Sequence, residues 1–254
     1  MARELLQQNK GPVIGGQLQE EGETMETATI APGFQFMTAS YLIRINNQKA
    51  NTLNELRTGL SQANDASIFY HTFQSLGRHH FLTEGFSNDF AQWILAALNR
   101  PQLAERLAGL DVRDYVSLAE LRADMVRIVS EYCAEHPQEA EVSGFEPFYF
   151  CECAEVTAPL GAPAQSLSEF REGLKRLSTN TLYYHFLISR LRLQLQTNDF
   201  SLWLQSVMGR EDLARRINRI DIYTNTLESA RDEMVRIVSA GEKTRAGENN
   251  HDRG

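Results

Sequence analysis

TLNELRTGLSQANDASIFYH, residues 52–71, returns as SLSEFREGLKRLSTNTLYYH at residues 166–185. The offset is 114 throughout, and seven of the twenty positions are identical, where unrelated segments would share about one. Working outward, NDFAQW at 88–93 matches NDFSLW at 198–203 with an offset of 110. MVRIVS then occurs unchanged at 125–130 and 234–239, offset 109. The offset changes only between elements: nine residues separate Arg78 from Asn88, but five separate Arg192 from Asn198. Indels confined to loops, with fixed spacing inside elements, are what structural repeats show.

The chain therefore reads as a tandem duplication. One unit covers residues 34–134 and the other 146–240. A linker at 135–145 is marked by His136-Pro137 and Ser143-Gly144. Residues 1–33 are rich in Gln, Glu, Gly and Thr without an apolar period, and are expected to be disordered. Residues 241–254 are expected to be a frayed polar tail.

Each unit reads as about six helices, so the expected fold is all-α, with two homologous helical repeats packed in a pseudo-two-fold relation. Thr52 with Glu55 and Ser166 with Glu169 form capping boxes that open the second helix of each unit. Asn88-Asp89 and Asn198-Asp199 are suited to cap the fourth. The stretches at 34–45 and 148–156 are assigned to the first helix, although their aromatic alternation also fits a short strand.

The chain has 254 residues, 42% of them hydrophobic and 23% charged, as expected of a globular protein large enough to bury its own core. The net charge of −8 argues against a nonspecific nucleic-acid binder, which needs a basic surface to displace counterions. No apolar run approaches the ~20 residues that span a bilayer, and residues 1–11 carry no signal-like apolar segment. Three cysteines do not make a disulfide framework, and a reducing cytoplasm is the expected compartment.

The third helix of each unit, about 67–82 and 181–196, carries the most pointed chemistry. His71, Ser75 and Arg78 follow at i, i+4 and i+7, and His185, Ser189 and Arg192 repeat them. Tyr70 and Tyr184 stand beside the histidines. Arginine offers a planar fork for a carboxylate or phosphate, and His and Ser can add hydrogen bonds or proton transfer. With Asp89 and Asp199, these residues are the candidate ligand site. The competing reading, which is preferred, is structural: a buried His, Ser and Arg hydrogen-bond to Asp89 and Asp199 and lock helix three to helix four. Trp93 and Trp203 are expected in the core rather than as stacking platforms.

Cys151-Glu152-Cys153 has ligand-like residues but no second pair, and the first unit has Met37-Thr38-Ala39 in that place. His79-His80 is not repeated. No metal and no cofactor is expected. Nucleophile-elbow, Walker, dinucleotide and metalloprotease motifs are missing.

The combination (T/S)LxE(L/F)RxGL, (S/T)(I/L)(F/Y)YH and NDFxxW resembles a family of helical prokaryotic domains of unknown function. The likeness extends over residues 34–240, in both copies. It implies the domain limits and carries no activity. The expected function is that of a cytoplasmic, non-enzymatic interaction or regulatory protein with a protein partner and no nucleic acid or membrane. The alternative is a binding protein or enzyme for a small anionic, phosphorylated metabolite held by the His-Ser-Arg stripes.

Overall fold

The computed structural model describes residues 32–75, 86, 88–221 and 226–251. In chain order come β1 (Met37–Ala50), α1 (Leu53–Gln62), α2 (Asp65–Phe69), a π-helical turn (Tyr70–Gln74), α3 (Asp89–Leu98), α4 (Pro101–Ala108) and α5 (Leu118–Glu135). A second series follows: β2 (Phe148–Pro159), α6 (Leu167–Arg176), α7 (Thr179–Tyr183), a π-helical turn (Tyr184–Ile188), α8 (Ser189–Leu193), α9 (Asp199–Ser206), α10 (Glu211–Asn218) and α11 (Leu227–His251). Short 3-10 turns lie at Val112–Asp114 and Glu139–Glu141.

The all-α expectation is overturned: the fold is mixed α/β, mostly helical with a two-stranded antiparallel sheet. Both stretches assigned to a first helix are strands, and they pair with each other. The period of two was the deciding signal. Phe148 and Phe150 are buried while Tyr149 between them is exposed, which is how side chains alternate across a pleated strand. Neither strand has a neighbour near it in sequence, so local pattern alone does not reveal the pairing.

The ribbon sets Met37 opposite Pro159, Tyr41 opposite Glu155 and Ile45 opposite Cys151. An irregularity follows between Ile45 and Lys49, after which Ala50 faces Phe148. At the far end Phe34 bridges Ala164, past a loop in which Gly161 takes a φ of 63°. That left-handed conformation favours glycine.

Each strand arm packs on the helices of the other half. Phe34 lies against Phe170, Phe200 and Trp203, with ring centroids 5.1, 5.4 and 5.7 Å away. Phe148 lies against Phe90 and Trp93, at 5.0 and 5.8 Å. Trp203 Nε1 donates to the Pro32 carbonyl at 3.0 Å, and Trp93 Nε1 donates to the Glu146 carbonyl at 2.9 Å. Both tryptophans are buried. One apolar cluster runs through both halves.

The helix starts follow their sequence signals. Thr52 and Ser166 accept from the N–H of Glu55 and Glu169, both at 3.2 Å. Each glutamate reaches back to the residue before the cap, Asn51 or Gln165. The last helix continues to His251, and its Glu242 pairs with Arg171 of α6.

Two glycines permit the arm docking. A Cβ on Gly59 of α1 would collide with the Phe150 ring, and one on Gly173 of α6 would collide with the Phe36 ring. Gly59→Ala and Gly173→Ala should each cost about 1–3 kcal/mol by overpacking, despite alanine's better helix propensity. Urea denaturation measures it. An unchanged midpoint in both variants would mean that the rings do not seat on these helices.

Candidate functional site

The π-helical turns begin at Tyr70 and Tyr184, directly before the two histidines. A π turn inserts an extra residue into the helical register and is found where a side chain must be re-aimed. His71 and His185 are both buried.

Each ring is held on both nitrogens. His71 Nδ1 lies 2.9 Å from Asp89 Oδ2, and its Nε2 accepts from the Cys151 N–H at 2.8 Å. His185 Nδ1 lies 2.7 Å from Asp199 Oδ2, and its Nε2 accepts from the Met37 N–H at 2.7 Å. The peptide N–H fixes the tautomer: Nε2 is the acceptor, so the ring proton sits on Nδ1 and is donated to the aspartate. Met37 and Cys151 are the positions that alignment of the two sequence halves sets against each other. Each histidine therefore grips the strand arm that leads the other half.

The aspartates are the first residues of α3 and α9, where the positive end of the helix favours a carboxylate. Capping itself falls to the neighbouring asparagines. Asn88 accepts from the Ala91 N–H at 2.8 Å and Asn198 from the Ser201 N–H at 2.9 Å. That leaves each aspartate to face its histidine.

The rest of the stripe differs between halves. Ser75 Oγ donates to Asp89 Oδ1 at 2.6 Å, whereas Ser189 Oγ donates to the His185 carbonyl of its own helix at 2.6 Å. Arg192 pairs with Asp199 and lies over the Tyr184 ring, 5.2 Å from its centroid. Burial pushes the Tyr184 hydroxyl above its ordinary value, partly offset by Arg192. Tyr70 is half-buried, with its ring 4.9 Å from that of His71. Arg78, His79 and His80 lie outside the described residues. Thus the structure brings together His71, Ser75 and Asp89 in one half, and Tyr184, His185, Arg192 and Asp199 in the other. Sequence reasoning missed the strand amides of Met37 and Cys151. A main-chain N–H carries no residue signature, and only the strand assignment would have pointed to it.

A general base needs a nitrogen able to take a proton from a substrate, and here both nitrogens of both rings are engaged. Neither serine donates to an imidazole. Arg192 has a side chain 44% exposed, so its ion pair is of the solvent-screened kind.

In the triplet Cys151-Glu152-Cys153, the Glu152 carboxylate accepts from Asn64 Nδ2 at 2.6 Å and from Arg44 Nε at 2.7 Å. Asn64 also caps α2, accepting from the Ser67 N–H at 2.9 Å. Glu152 thus ties the ribbon to the helix that carries His71. Among the described residues, no group of three or more His, Cys, Asp or Glu is placed to hold a metal ion.

The histidines should dominate stability. His71→Phe and His185→Phe keep a ring but leave a strand N–H without its acceptor, at an expected cost of about 1–3 kcal/mol each. Arg192→Ala should cost about 1 kcal/mol or less. Equilibrium unfolding ranks them, and Arg192→Ala emerging as the most damaging would refute this account. Asn64 first and Arg44 second hold the Glu152 carboxyl below its usual range. A carboxyl lowered on folding contributes fully above its unfolded value, and the contribution is lost as pH falls through the folded value. Glu152→Gln should therefore flatten the acid limb of a stability profile below about pH 4.3 and leave neutral-pH slopes unchanged.

No curated protein matches the sequence. Among solved structures the fold is similar to OrfY from Thermoproteus tenax, with 26% identity over 84% of this chain and 97% of that one, at a TM-score of 0.71. A family model described as a family of unknown function, DUF5752, matches residues 31–239, and the chain belongs to that family.

Proposed function

We propose that the protein is a non-enzymatic interaction or regulatory protein, and that it arose by internal duplication in which each half lends its leading strand to the other. One observation carries the first part: both nitrogens of His71 and of His185 are bonded to fixed protein partners. The duplication is supported by the shared contacts at matched positions, namely His to strand N–H, His to Asp, and Trp to the carbonyl ahead of each strand. The rival reading, a metabolite held by the stripes, has Arg192 already paired with Asp199. The partner in this proposal is a protein. Apolar side chains stand open on the ribbon, including Leu42 at 65% and Ile45 at 68% exposed, with Ile43 and Val156 beside them. Leu42 and Val156 stand on one face of the ribbon and Ile43 and Ile45 on the other, and exposed apolar side chains gathered on one element mark interaction surfaces. The compartment we propose is the cytoplasm. No helix among the described residues is long and apolar enough to cross a membrane.

Diethyl pyrocarbonate acylates an accessible imidazole nitrogen. In the folded protein, His71 and His185 should stay unmodified by mass spectrometry and react only after unfolding. Rapid modification of either one, with the protein still folded, would reopen the catalytic reading. For the interaction surface, the neutral dye Nile red should fluoresce with the folded protein and lose that signal in Leu42→Lys/Ile45→Lys. A wild type that leaves the dye dark would remove the ribbon as a docking face.

A further inference from the structure

The two sequence halves differ sharply at one place on their surfaces. In the first half, Glu131 of α5 receives two arginines: Arg106 of α4 at 2.5 Å and Arg127 of α5 at 3.1 Å. Arg127 also pairs with Asp124 at 2.9 Å. Arg127 first and Arg106 second hold the Glu131 carboxyl below its usual range. The cationic pair is thus closed by a carboxylate of the chain itself.

In the second half both arginines persist and the carboxylate does not. Alignment on Leu103–Leu107 with Leu213–Ile217 sets Arg216 at the place of Arg106. Alignment on MVRIVS sets Arg236 at Arg127, Glu233 at Asp124 and Ala240 at Glu131. Gly109 is replaced by Arg219, which adds a third cation. These three arginines line an open cleft of about 660 Å³ between α10 and α11, with Ile220 and Ile237 as its apolar part. The carboxylates on its rim are already engaged. Asp221 is bonded by Arg113 at 2.8 Å, Asp232 by Arg231 at 3.6 Å and Glu233 by Arg236 at 2.5 Å. Among the described residues, Arg216 and Arg219 have no ion-pair partner. The cleft therefore carries two uncommitted guanidinium groups, and its size is that of a small-molecule pocket.

We propose that this cleft binds a phosphate-bearing small molecule whose phosphoryl group takes the place that Glu131 fills in the first half. Arg216 and Arg219 supply forked donors suited to a phosphate, and Arg236, paired with Glu233, closes the cleft beside them. Ile220 and Ile237 receive the apolar part of the ligand. The proposal is independent of the histidine locks, which lie at the arm contacts.

Calorimetric titration and thermal melts of the full chain test it, at constant ionic strength, with inorganic phosphate, pyrophosphate and adenosine monophosphate. At least one should bind and raise the melting temperature. Ala240→Glu restores the internal carboxylate on an exposed position. It should weaken binding at least tenfold while leaving the unliganded melt at or above wild type. Arg216→Ala/Arg219→Ala should lose binding as well. A folded His185→Phe variant should keep the anion response, so loss of the lock and loss of the cleft are read separately. A stronger response to adenosine monophosphate than to the inorganic anions identifies a ligand with a body as well as a phosphate. The proposal is overturned if none of the three binds, or if either cleft variant binds like wild type.

Discussion

A peptide N–H at the outer edge of a strand, taken out of water, must find an acceptor. In this protein the acceptor is an imidazole nitrogen, and everything else about the arm contact follows from that bond. Because Nε2 accepts, the proton sits on Nδ1, and that nitrogen needs a hydrogen-bond acceptor. An aspartate at a helix start supplies it, leaving the helix cap to the preceding asparagine. The π turn that carries each histidine sets the ring between the strand and the helix end. Aromatic rings from both halves then close over the assembly: Phe34, Phe36 and Phe200 around His185, and Phe148, Phe150 and Phe90 around His71. A buried polar bridge of this kind stabilises only when every member is satisfied.

The exchange of arms makes the halves interdependent. The helices α6 and α9 are completed by Phe34 and Phe36, which come from the start of the other half, and α1 and α3 are completed by Phe148 and Phe150. Further ties run between the helical bodies. The Tyr183 hydroxyl donates to the Phe73 carbonyl, and Gln196 Nε2 donates to the Asp114 carbonyl at 2.9 Å. A half cut from the chain would lose the strand that covers its aromatic cluster and the N–H that its histidine accepts from. The ribbon itself has only two strands, and two strands alone are marginal in water. Its persistence follows from being anchored at both ends.

Against this shared frame, the departures between halves fall at polar side chains, among them two buried serines. Ser75 faces an aspartate while Ser189 faces its own backbone. Glu131 closes an arginine pair that Ala240 leaves open.

The sequence by itself determined the matched stretches, the helix starts at Thr52, Ser166, Asn88 and Asn198, the burial of both tryptophans, and the facing of His71, Ser75, His185 and Arg192 to an aspartate, while Ser189 turned to its own backbone. These depend on local chemistry: caps, apolar period and offsets kept inside elements. It misread residues 34–45 and 148–156 as helix. Their aromatic alternation fits either state over a short span, and the hydrogen bonds that decide between them go to a partner more than a hundred positions away. The π turns were equally hidden, since an i+5 bond leaves no composition signal. Only the tertiary structure decided that each strand docks on the opposite half. Offsets record which segments match but carry no information about which half a segment packs against, and that choice was settled by where a buried N–H and two phenyl rings found a histidine, a tryptophan and a glycine.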